Sequence, residues 1–383
     1  MIADKRHERL LREIRLHGAV TVTEFAARAG VAPMTVRRDL ATLEAGGLLK
    51  RTHGGAIALA PEPEAGTRPG SPGQAAAGGT QAGRGGRSRS ALMTIGMVAP
   101  SASYYFPEII RGAQDAARRF DARLVLGISN YSGVEEGRQI QRLIASGVDG
   151  LLVTPSEAQL GGTPTLDLLA NARIPVVVVE RSLREVAASL ALDEVRSDHV
   201  AGAEMAIAHL ASLGHRRVGL AARAGSPTTP WLQEGFERAA ARSVLEPGFL
   251  HVRLPRPAAG EAVDTAHYDR LLDECLATDT RALVVHTDED ATAVQIRAVE
   301  RGITVPGGLS IVAYDDEVAA LAAVPLSAVS PPKYEVGYTA MGQCCERILD
   351  EAKGHPRALR RMRLLPTLRT RESTGRPVSA AKP

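Results

Sequence analysis

From residue 93 onward, short runs of apolar residues alternate with longer segments in which apolar side chains recur at helical spacing. The apolar runs predict buried strands at 94–99, 123–128, 150–154, 175–179, 217–221, 282–286 and 309–314. The segments between them predict helices at 107–120, 135–146, 198–213, 231–242 and 290–301. Because continuous apolar strands need cover on both faces, the pattern predicts an α/β body with parallel sheets.

The first 60 residues follow a different pattern, with three short helices and then a strand pair. Apolar residues at helical spacing predict helices at 10–18, at 23–30 and from 33 onward. In the third helix, Val36, Leu40 and Leu43 share one face and should pack on the other two helices. A glycine pair ends this helix, and residues 48–56 predict a strand, a tight turn and a return strand.

The opposite face of the third helix carries residues that suit the major groove of DNA. These residues are Met34, Thr35, Arg38 and Thr42, with Arg37 at the flank. An Arg side chain can pair with guanine through two hydrogen bonds, and Thr offers a hydroxyl and a methyl group to base edges. Residues 1–60 are therefore predicted to form a winged helix-turn-helix DNA-binding domain.

The strand pair adds a second basic element to this domain. Lys50, Arg51 and His53 would lie against the phosphate backbone and position the domain without reading the base sequence. For the arginines of the third helix, the alternative is a solvent-exposed face on which they pair with Asp39 and Glu44. The strand pair directly after the helix favours the DNA-binding interpretation.

Residues 10–56 resemble the winged helix-turn-helix of the DeoR family. The matching runs are G-A-V-T-V-T-E-F-A, V-x-x-x-T-V-R-R-D-L-x-x-L-E and G-L-L-x-R-x-H-G-G-A. The family usually has Ser where Ala32 stands, a helix cap whose loss costs about 1 kcal/mol. The resemblance implies that a double-stranded DNA operator is a partner of this chain.

Residues 61–91 are rich in Gly, Pro, Ala and Ser and lack apolar periodicity. Such a composition cannot bury enough apolar surface to offset the entropy of ordering, so the segment is predicted to be a flexible linker. Residues 377–383 are predicted to be a disordered tail. The chain should therefore contain two folded parts, at 1–60 and 92–376.

Charge and cysteine content narrow the function further. Residues 1–90 carry 14 Lys and Arg against 8 Asp and Glu, whereas the rest of the chain carries 32 against 35. A basic N-terminal part fits attraction to phosphates. The three cysteines form no C-x-x-C pair, so we expect neither a metal site, nor a disulfide framework, nor a cofactor. No signal peptide or apolar membrane span is recognisable, which predicts a cytoplasmic protein without a membrane partner.

Several aromatic and charged residues follow the predicted strands, where ligands bind in open α/β folds. They form four groups, at Tyr104, Tyr105 and Phe106, at Glu180 and Arg181, at His286, Thr287 and Asp288, and at Tyr314, Asp315 and Asp316. The predicted effector-binding residues among them are Tyr104, Tyr105, Phe106, Glu180, Arg181, Asp288 and Asp315. Aromatic rings can pack on the C–H faces of a polyol, and carboxylates can accept hydrogen bonds from its hydroxyls. As structural alternatives, Tyr105 and Phe106 could begin a helix and Asp288 could cap one. The shared location at strand ends favours a pocket for a carbohydrate-like effector.

The body resembles the effector-binding part of the LacI/GalR repressor family, which shares the periplasmic sugar-binding fold. Matching runs include F-P-E-I-I-R-G-A, R-L-I-A-S-G-V-D-G-L-L-V, H-L-A-S-L-G-H-R-R-V-G-L and R-G-I-T-V-P-G-G-L-S-I-V-A-Y-D-D. The resemblance implies two subdomains, one of 92–191 with 331–363 and the other of 192–330 with 364–376. It also implies three crossings near Leu192, Ser330 and Leu364, an effector in the cleft, and a homodimer.

The sequence departs from this family at several positions. Asp315 stands where the family uses an acidic residue on sugar hydroxyls, but Glu180 replaces a usual Asp, and Leu232 replaces an expected ligand-gripping Arg. The single tryptophan, Trp231, either stacks on the ligand or packs beneath its helix, and we include it among the candidate effector-binding residues. Nothing in 61–91 resembles the family's hinge helix.

These features predict a DNA-binding transcriptional regulator, a repressor rather than an activator, controlled by a small sugar or sugar derivative. Two other classes fit parts of the chain: a solute-binding protein, which needs export, and a sugar-processing enzyme acting through the strand-end carboxylates. The DNA-binding head disfavours the first class. The sequence contains no nucleophile elbow, phosphate loop or metal-spaced cluster to support the second, so we expect a non-enzyme.

Overall fold

The computed structural model describes residues 7, 10, 19–22, 25–26, 31–45, 49–52, 55–57, 93–187, 189–242, 245–246, 250–255, 265–355 and 357–377. These residues fall into two compact units, 1–85 and 86–383. The predicted linker at 61–91 and most of the predicted tail at 377–383 lie outside the described residues, apart from Pro377. The domain boundaries that depend on them remain predictions.

The N-terminal unit contains helix α1 (Pro33–Ala45) and a three-stranded antiparallel sheet. Its strands are β1 (Ala19–Thr21), β2 (Lys50–Thr52) and β3 (Gly55–Ile57), with β3 in the middle. Thr52 pairs with Gly55, so two residues connect β2 to β3, as a tight wing requires. The sequence pattern did not predict β1, because three residues carry no usable periodicity and this strand depends on its pairing with β3.

The first body subdomain is built on a six-stranded parallel sheet of order β14-β8-β7-β6-β4-β5. The strands are β4 (Met93–Ala99), β5 (Ala122–Ile128), β6 (Gly150–Val153), β7 (Val176–Val179), β8 (Leu192–Ser197) and β14 (Arg361–Leu364). Its helices are α2 (Phe106–Arg119), α3 (Gly133–Ala145), α4 (Pro164–Ala170) and α9 (Lys333–Ala352). Buried side chains form a core on each face of this sheet, as the continuous apolar strands predicted.

The second subdomain contains a six-stranded sheet of order β10-β9-β11-β12-β13-β15, in which only β15 is antiparallel. The strands are β9 (Gly219–Arg223), β10 (His251–Leu254), β11 (Ala282–His286), β12 (Ser310–Tyr314), β13 (Ser327–Ser330) and β15 (Thr367–Arg369). Its helices are α5 (His199–Ser212), α6 (Thr229–Arg242), α7 (Ala266–Ala277) and α8 (Asp288–Glu300). Every strand and helix predicted from the apolar pattern of the body is present, which confirms the α/β fold.

One predicted crossing is displaced. Strand β8 pairs with β7 in the first sheet, so the chain leaves the first subdomain after Ser197 and not near Leu192. The reason is a buried ion pair: Arg347 on α9 contacts both carboxylate oxygens of Asp193 on β8, at 2.6 and 2.9 Å. The sequence pattern missed β8 because charged residues interrupt its apolar run. The chain also passes between the two sheets after β13, which ends at Ser330, and after β14, which ends at Leu364.

Helices α2 and α9 approach each other closely enough to exclude side chains at two positions. A Cβ added to Gly112 would lie 2.0 Å from the carbonyl oxygen of Tyr334, and one added to Gly337 would lie 1.8 Å from that of Ile109. This contact places the first residues of both helices, Phe106 and Lys333, beside the cleft. Within the described part of the chain, none of the helices has the length and apolar character to cross a bilayer.

Candidate functional site

Helix α1 divides its residues between the core of the N-terminal unit and its surface. Val36, Leu40 and Leu43 are buried with Leu10, Phe25 and Leu49. The predicted DNA-reading residues lie on the other side, where Met34 is 64% exposed, Arg37, Arg38 and Thr42 are exposed, and Thr35 is half-buried. The helix therefore presents a polar face with two arginines while its apolar face anchors it.

The acidic residue beside those arginines points the other way. Asp39 is buried, and its Oδ1 lies 3.0 Å from Nε2 of His7, so it helps to hold α1 against the preceding segment. Lys50 and Arg51 fall on β2, as expected for the wing. His53 lies outside the described residues.

Between the two body subdomains lies a cavity of about 100 Å³, which we call the cleft cavity. Its lining combines Tyr104, Tyr105, Phe106, Tyr131, Glu180 and Arg181 with His199, Arg223, Ser226, Pro227, Thr228, His286, Thr287 and Asp315. Six of the eight predicted effector-binding residues are in this lining. Asp288 and Trp231 are not among them.

Four of the lining residues follow strands with a left-handed backbone. Tyr104 has a φ of 57°, Tyr131 of 58°, Glu180 of 55° and Asp315 of 94°. For residues with a Cβ this conformation costs about 1–3 kcal/mol each. A fold retains such strain where the surrounding structure over-determines it, and functional clefts are the usual place.

Asp315 is a buried carboxyl at the end of β12. Burial raises its pKa to about 6, with Asp288 adding to the rise and Lys333 opposing it. Its Oδ2 lies 3.4 Å from the Tyr104 hydroxyl and 3.8 Å from Nε2 of His286. Asp315 is therefore incompletely paired and can accept a hydrogen bond from a ligand.

Glu180, by contrast, is engaged by the protein. Burial alone would raise its pKa, but His199 and the Ser197 hydroxyl and N–H outweigh burial and lower the pKa to about 2. The Ser197 hydroxyl donates to Glu180 at 2.7 Å, and the Tyr105 hydroxyl donates at 3.1 Å. These contacts orient Tyr105 in the lining, so Glu180 acts on the cavity through its neighbours.

Asp288 has a structural role that the sequence did not reveal. Its Oδ2 accepts hydrogen bonds from the backbone N–H groups of Val318 and Ala319, at 2.6 and 3.0 Å. Its Oδ1 accepts a hydrogen bond from the hydroxyl of Tyr104, which belongs to the opposite subdomain. Asp288 thus joins two loops and reaches across the cleft rather than lining the cavity.

Two cavity residues have a buried side-chain nitrogen without a hydrogen-bond partner among the described residues. One is Nε of Arg181, whose Nη1 donates to the Glu180 carbonyl at 2.7 Å. The other is Nδ1 of His286. Burial and nearby Arg223 lower the pKa of His286 to about 3, so its imidazole is neutral near pH 7. Both side chains are available to hydrogen-bond a polar ligand.

Arg223 is a cavity residue that sequence reasoning missed. It ends β9 and donates to Asp290 at 2.6 Å and to Glu289 at 3.1 Å. His199, Arg223 and His286 were all missing from the predicted set. The strand-end position pointed to His286, but Asp288 two residues later was the predicted ligand contact. Arg223 lies just beyond the strand predicted at 217–221, so the same signal applied to it.

Trp231 and Leu232 are adjacent in sequence, but their side chains lie in different environments. Leu232 is fully buried in the core of the second subdomain, so no side chain at this position faces the cleft cavity. Trp231 lines a separate cavity, and the guanidinium carbons of Arg184 and Arg196 lie 4.7 and 4.9 Å from the centre of its ring.

The sequence matches two family models in separate places. A DeoR-like helix-turn-helix domain matches residues 6–62, and a periplasmic binding protein-like domain matches residues 207–374. The transcriptional repressor PurR of Haemophilus influenzae is 30% identical over 269 residues, which cover 68% of this chain and 75% of that protein. The chain belongs to the LacI family of transcriptional repressors.

Other comparisons agree with this placement. The arabinose metabolism transcriptional repressor of Geobacillus stearothermophilus is 29% identical over 266 residues, covering 64% of this LacI-family chain and 68% of the relative. Among solved structures, a LacI family regulator from Enterococcus faecium with bound ribose has a TM-score of 0.58 at 22% identity, covering 74% of this chain and 99% of that chain. At that identity the structure supports the fold alone. The predictions of a DNA-binding transcriptional regulator and of a DeoR-type head on a LacI-type body are confirmed, and the relatives are regulators rather than enzymes.

Proposed function

We propose that this LacI-family regulator represses transcription from a double-stranded DNA operator, and that a sugar or sugar derivative in the cleft cavity controls its affinity for that operator. The observation that carries the effector proposal is that Arg181 and Asp315 line the same cavity. Arg181 offers an unpartnered buried donor, and Asp315 offers an incompletely paired acceptor. A hydroxyl-rich ligand needs both kinds of group, because each of its hydroxyls donates and accepts.

In this proposal the lining residues divide the work. Arg181 donates to the ligand, Asp315 accepts from it, and the rings of Tyr105 and Phe106 pack on its C–H faces. Tyr104 and Glu180 support the site from the two subdomains, since each is already hydrogen-bonded to a neighbour. The ligand would be bound and released without turnover.

The DNA-binding role is assigned to the exposed face of α1 and to the wing. Thr35, Arg37 and Arg38 read base edges, with Met34 and Thr42 beside them, while Lys50, Arg51 and His53 contact phosphates. What supports this assignment is that the apolar face of α1 is buried while the arginines remain exposed.

Coupling between the two sites requires the effector to bind one arrangement of the subdomains better than another. Contacts that span the cleft, such as those of Tyr104 with Asp288, are the ones whose strength an effector would change.

We also propose that the body forms a homodimer, acting in the cytoplasm where the operator is. Exposed apolar side chains on neighbouring helices, Leu276, Ile296 and Val299, favour such an interface, and size-exclusion chromatography with light scattering would test it.

A ligand screen tests the effector proposal. A panel of pentoses, hexoses, their phosphates and nucleosides is screened by thermal shift, starting with arabinose and ribose because relatives are associated with those sugars. A hit should bind by calorimetry, change operator affinity in a gel shift, and remain chemically intact by NMR. Asp315→Asn should weaken its binding at least tenfold, whereas Asp279→Asn, at an exposed carboxylate of the same subdomain, should not. Full binding by the Asp315 variant would refute the assigned site.

A further inference from the structure

A second cavity, of about 170 Å³, lies beside the cleft cavity and is also lined from both subdomains. We call it the rim pocket. Its apolar wall consists of Leu160 and Val186 from the first subdomain and of Pro227, Pro230 and Trp231 from the second. The charged side chains of Arg184, Glu185 and Glu234 also line the pocket, around this wall. An indole, two pyrrolidine rings and two aliphatic side chains on one wall are suited to a flat apolar group.

The indole of Trp231 is held in place by charged neighbours. Arg184 and Arg196 both lie within 5 Å of its ring centre, a distance at which cations are attracted to aromatic faces. Each arginine is itself oriented by a carboxylate, Arg184 by Glu234 at 3.0 and 3.3 Å and Arg196 by Glu194 at 2.9 Å. These contacts orient the indole before a ligand binds, which reduces the entropy cost of binding.

The rim pocket and the cleft cavity share a wall. Pro227 lines both of them, and its neighbours Ser226 and Thr228 line the cleft cavity. Two cavities with one common residue can be occupied by two parts of a single ligand. The part in the cleft cavity would meet hydrogen-bonding groups, and the part in the rim pocket would meet apolar rings.

We propose that the rim pocket binds a planar apolar group carried by the effector itself, so that the effector is a glycoside-like molecule with an aromatic substituent. This inference rests on the proposed function, since it assumes that a sugar occupies the cleft cavity. Because both subdomains line the rim pocket, the substituent also favours the arrangement in which the subdomains contact each other. Bare sugars should therefore be weaker effectors than their aryl glycosides.

The experiment compares methyl and phenyl glycosides of the same sugars on the full chain. Trp231 is the only tryptophan, so its fluorescence, excited at a wavelength that phenyl groups do not absorb, reports directly on the rim pocket. Phenyl glycosides should bind about tenfold or more tightly than methyl glycosides by calorimetry. They should also shift the Trp231 emission saturably at the same concentrations, whereas methyl glycosides should shift it little.

In Trp231→Ala, the affinity ratio of the phenyl to the methyl glycoside should fall towards one. The affinity for the methyl glycoside itself should stay unchanged. Tyr334→Ala is the matched control, because Tyr334 is also an aromatic residue beneath an arginine but lies outside both cavities. If Trp231→Ala fails to fold, the titration of Trp231 emission in the unmodified chain still shows whether a phenyl group enters the rim pocket. Methyl glycosides that bind with no gain from phenyl, or a phenyl preference that leaves the Trp231 emission unchanged, would overturn this inference alone. Failure of every glycoside to bind would overturn the sugar effector as well.

Discussion

The two candidate binding regions of this protein keep their polar side chains in opposite environments. On α1 the arginines are exposed and the apolar face carries the packing, so the residues that meet DNA contribute little to folding. In the cleft, Asp315 is only 4% exposed and Arg181 only 8%, so the residues that meet a small ligand are part of the interior. A large polyanion such as DNA binds to exposed side chains on a surface, whereas a small polar molecule binds where buried side chains surround it.

The difference has an energetic consequence. Exposed charges retain their hydration and are free to contact phosphates, so replacing them should change binding and leave stability nearly unchanged. Buried polar groups lose hydration on folding and are not fully repaid until a ligand completes their hydrogen bonds. The cleft should therefore be a site where function opposes stability.

The largest effect is expected from Asp315→Asn on stability. Because the folded-state pKa of Asp315, about 6, is raised above the usual 3.8, ionisation destabilises the fold, and this cost is absent below pH 4 and complete above pH 6. At pH 8 the cost amounts to about 3 kcal/mol, at 1.36 kcal/mol per pKa unit. The variant should gain up to that amount at pH 8 and nothing at pH 4, measured by urea unfolding.

Asp279→Asn provides the reference for that experiment. Its side chain is 65% exposed, so its free energy of unfolding should change by less than about 0.5 kcal/mol at either pH. An equal gain for Asp315→Asn at pH 4 and pH 8 would show that ionisation of the buried carboxyl is not the cause. A variant that is more stable but binds no effector would establish the opposition between stability and function in the cleft.

The next effect concerns DNA. Arg38→Ala should weaken operator binding by about 1–3 kcal/mol, roughly fivefold to 150-fold, because a base-reading arginine is lost. Its free energy of unfolding and its effector affinity should be unchanged. Fluorescence anisotropy at one fixed salt concentration measures the loss. Arg242→Ala, which removes an exposed arginine from the body, is the control. An equal loss of operator affinity in that variant would show that the effect comes from net charge and not from base reading by Arg38.

The smallest effect is expected at the start of α1. Ala32 precedes the helix, and its carbonyl accepts from the N–H groups of Thr35 and Val36. Ala32→Ser would add a side-chain cap and stabilise the N-terminal unit by about 1 kcal/mol. Hydrogen exchange at Val36 and Leu40 should slow about fivefold, while exchange at body residues such as Val284 stays the same. Unchanged exchange on α1 would mean that a side-chain cap at position 32 adds nothing to the stability of this helix.

Much of the fold was predictable because the central strands of the body are buried on both faces and therefore continuously apolar. Among the elements that escaped prediction, β8 carries Asp193, Glu194 and Arg196, β1 has only three residues, and the edge strands β10 and β14 are partly exposed. In the site, the strand-end rule found Tyr105, Arg181 and Asp315. It pointed to His286 without selecting it as a ligand contact, and it did not find Arg223, which ends a strand in the same way.

The sequence by itself determined the class of each part: a basic winged helix-turn-helix head and a parallel α/β body with polar residues at its strand ends. Periodicity and motif spacing are local properties, and they are readable without a fold. Only the tertiary structure decided which strand-end residues share a cavity, and which of them are already bonded to the protein. Asp288 and Glu180 proved to be engaged, whereas Asp315 and Arg181 keep capacity for a ligand. Whether a residue is engaged or available depends on hydrogen-bond partners that are far apart in sequence, and a local sequence pattern does not predict such partners.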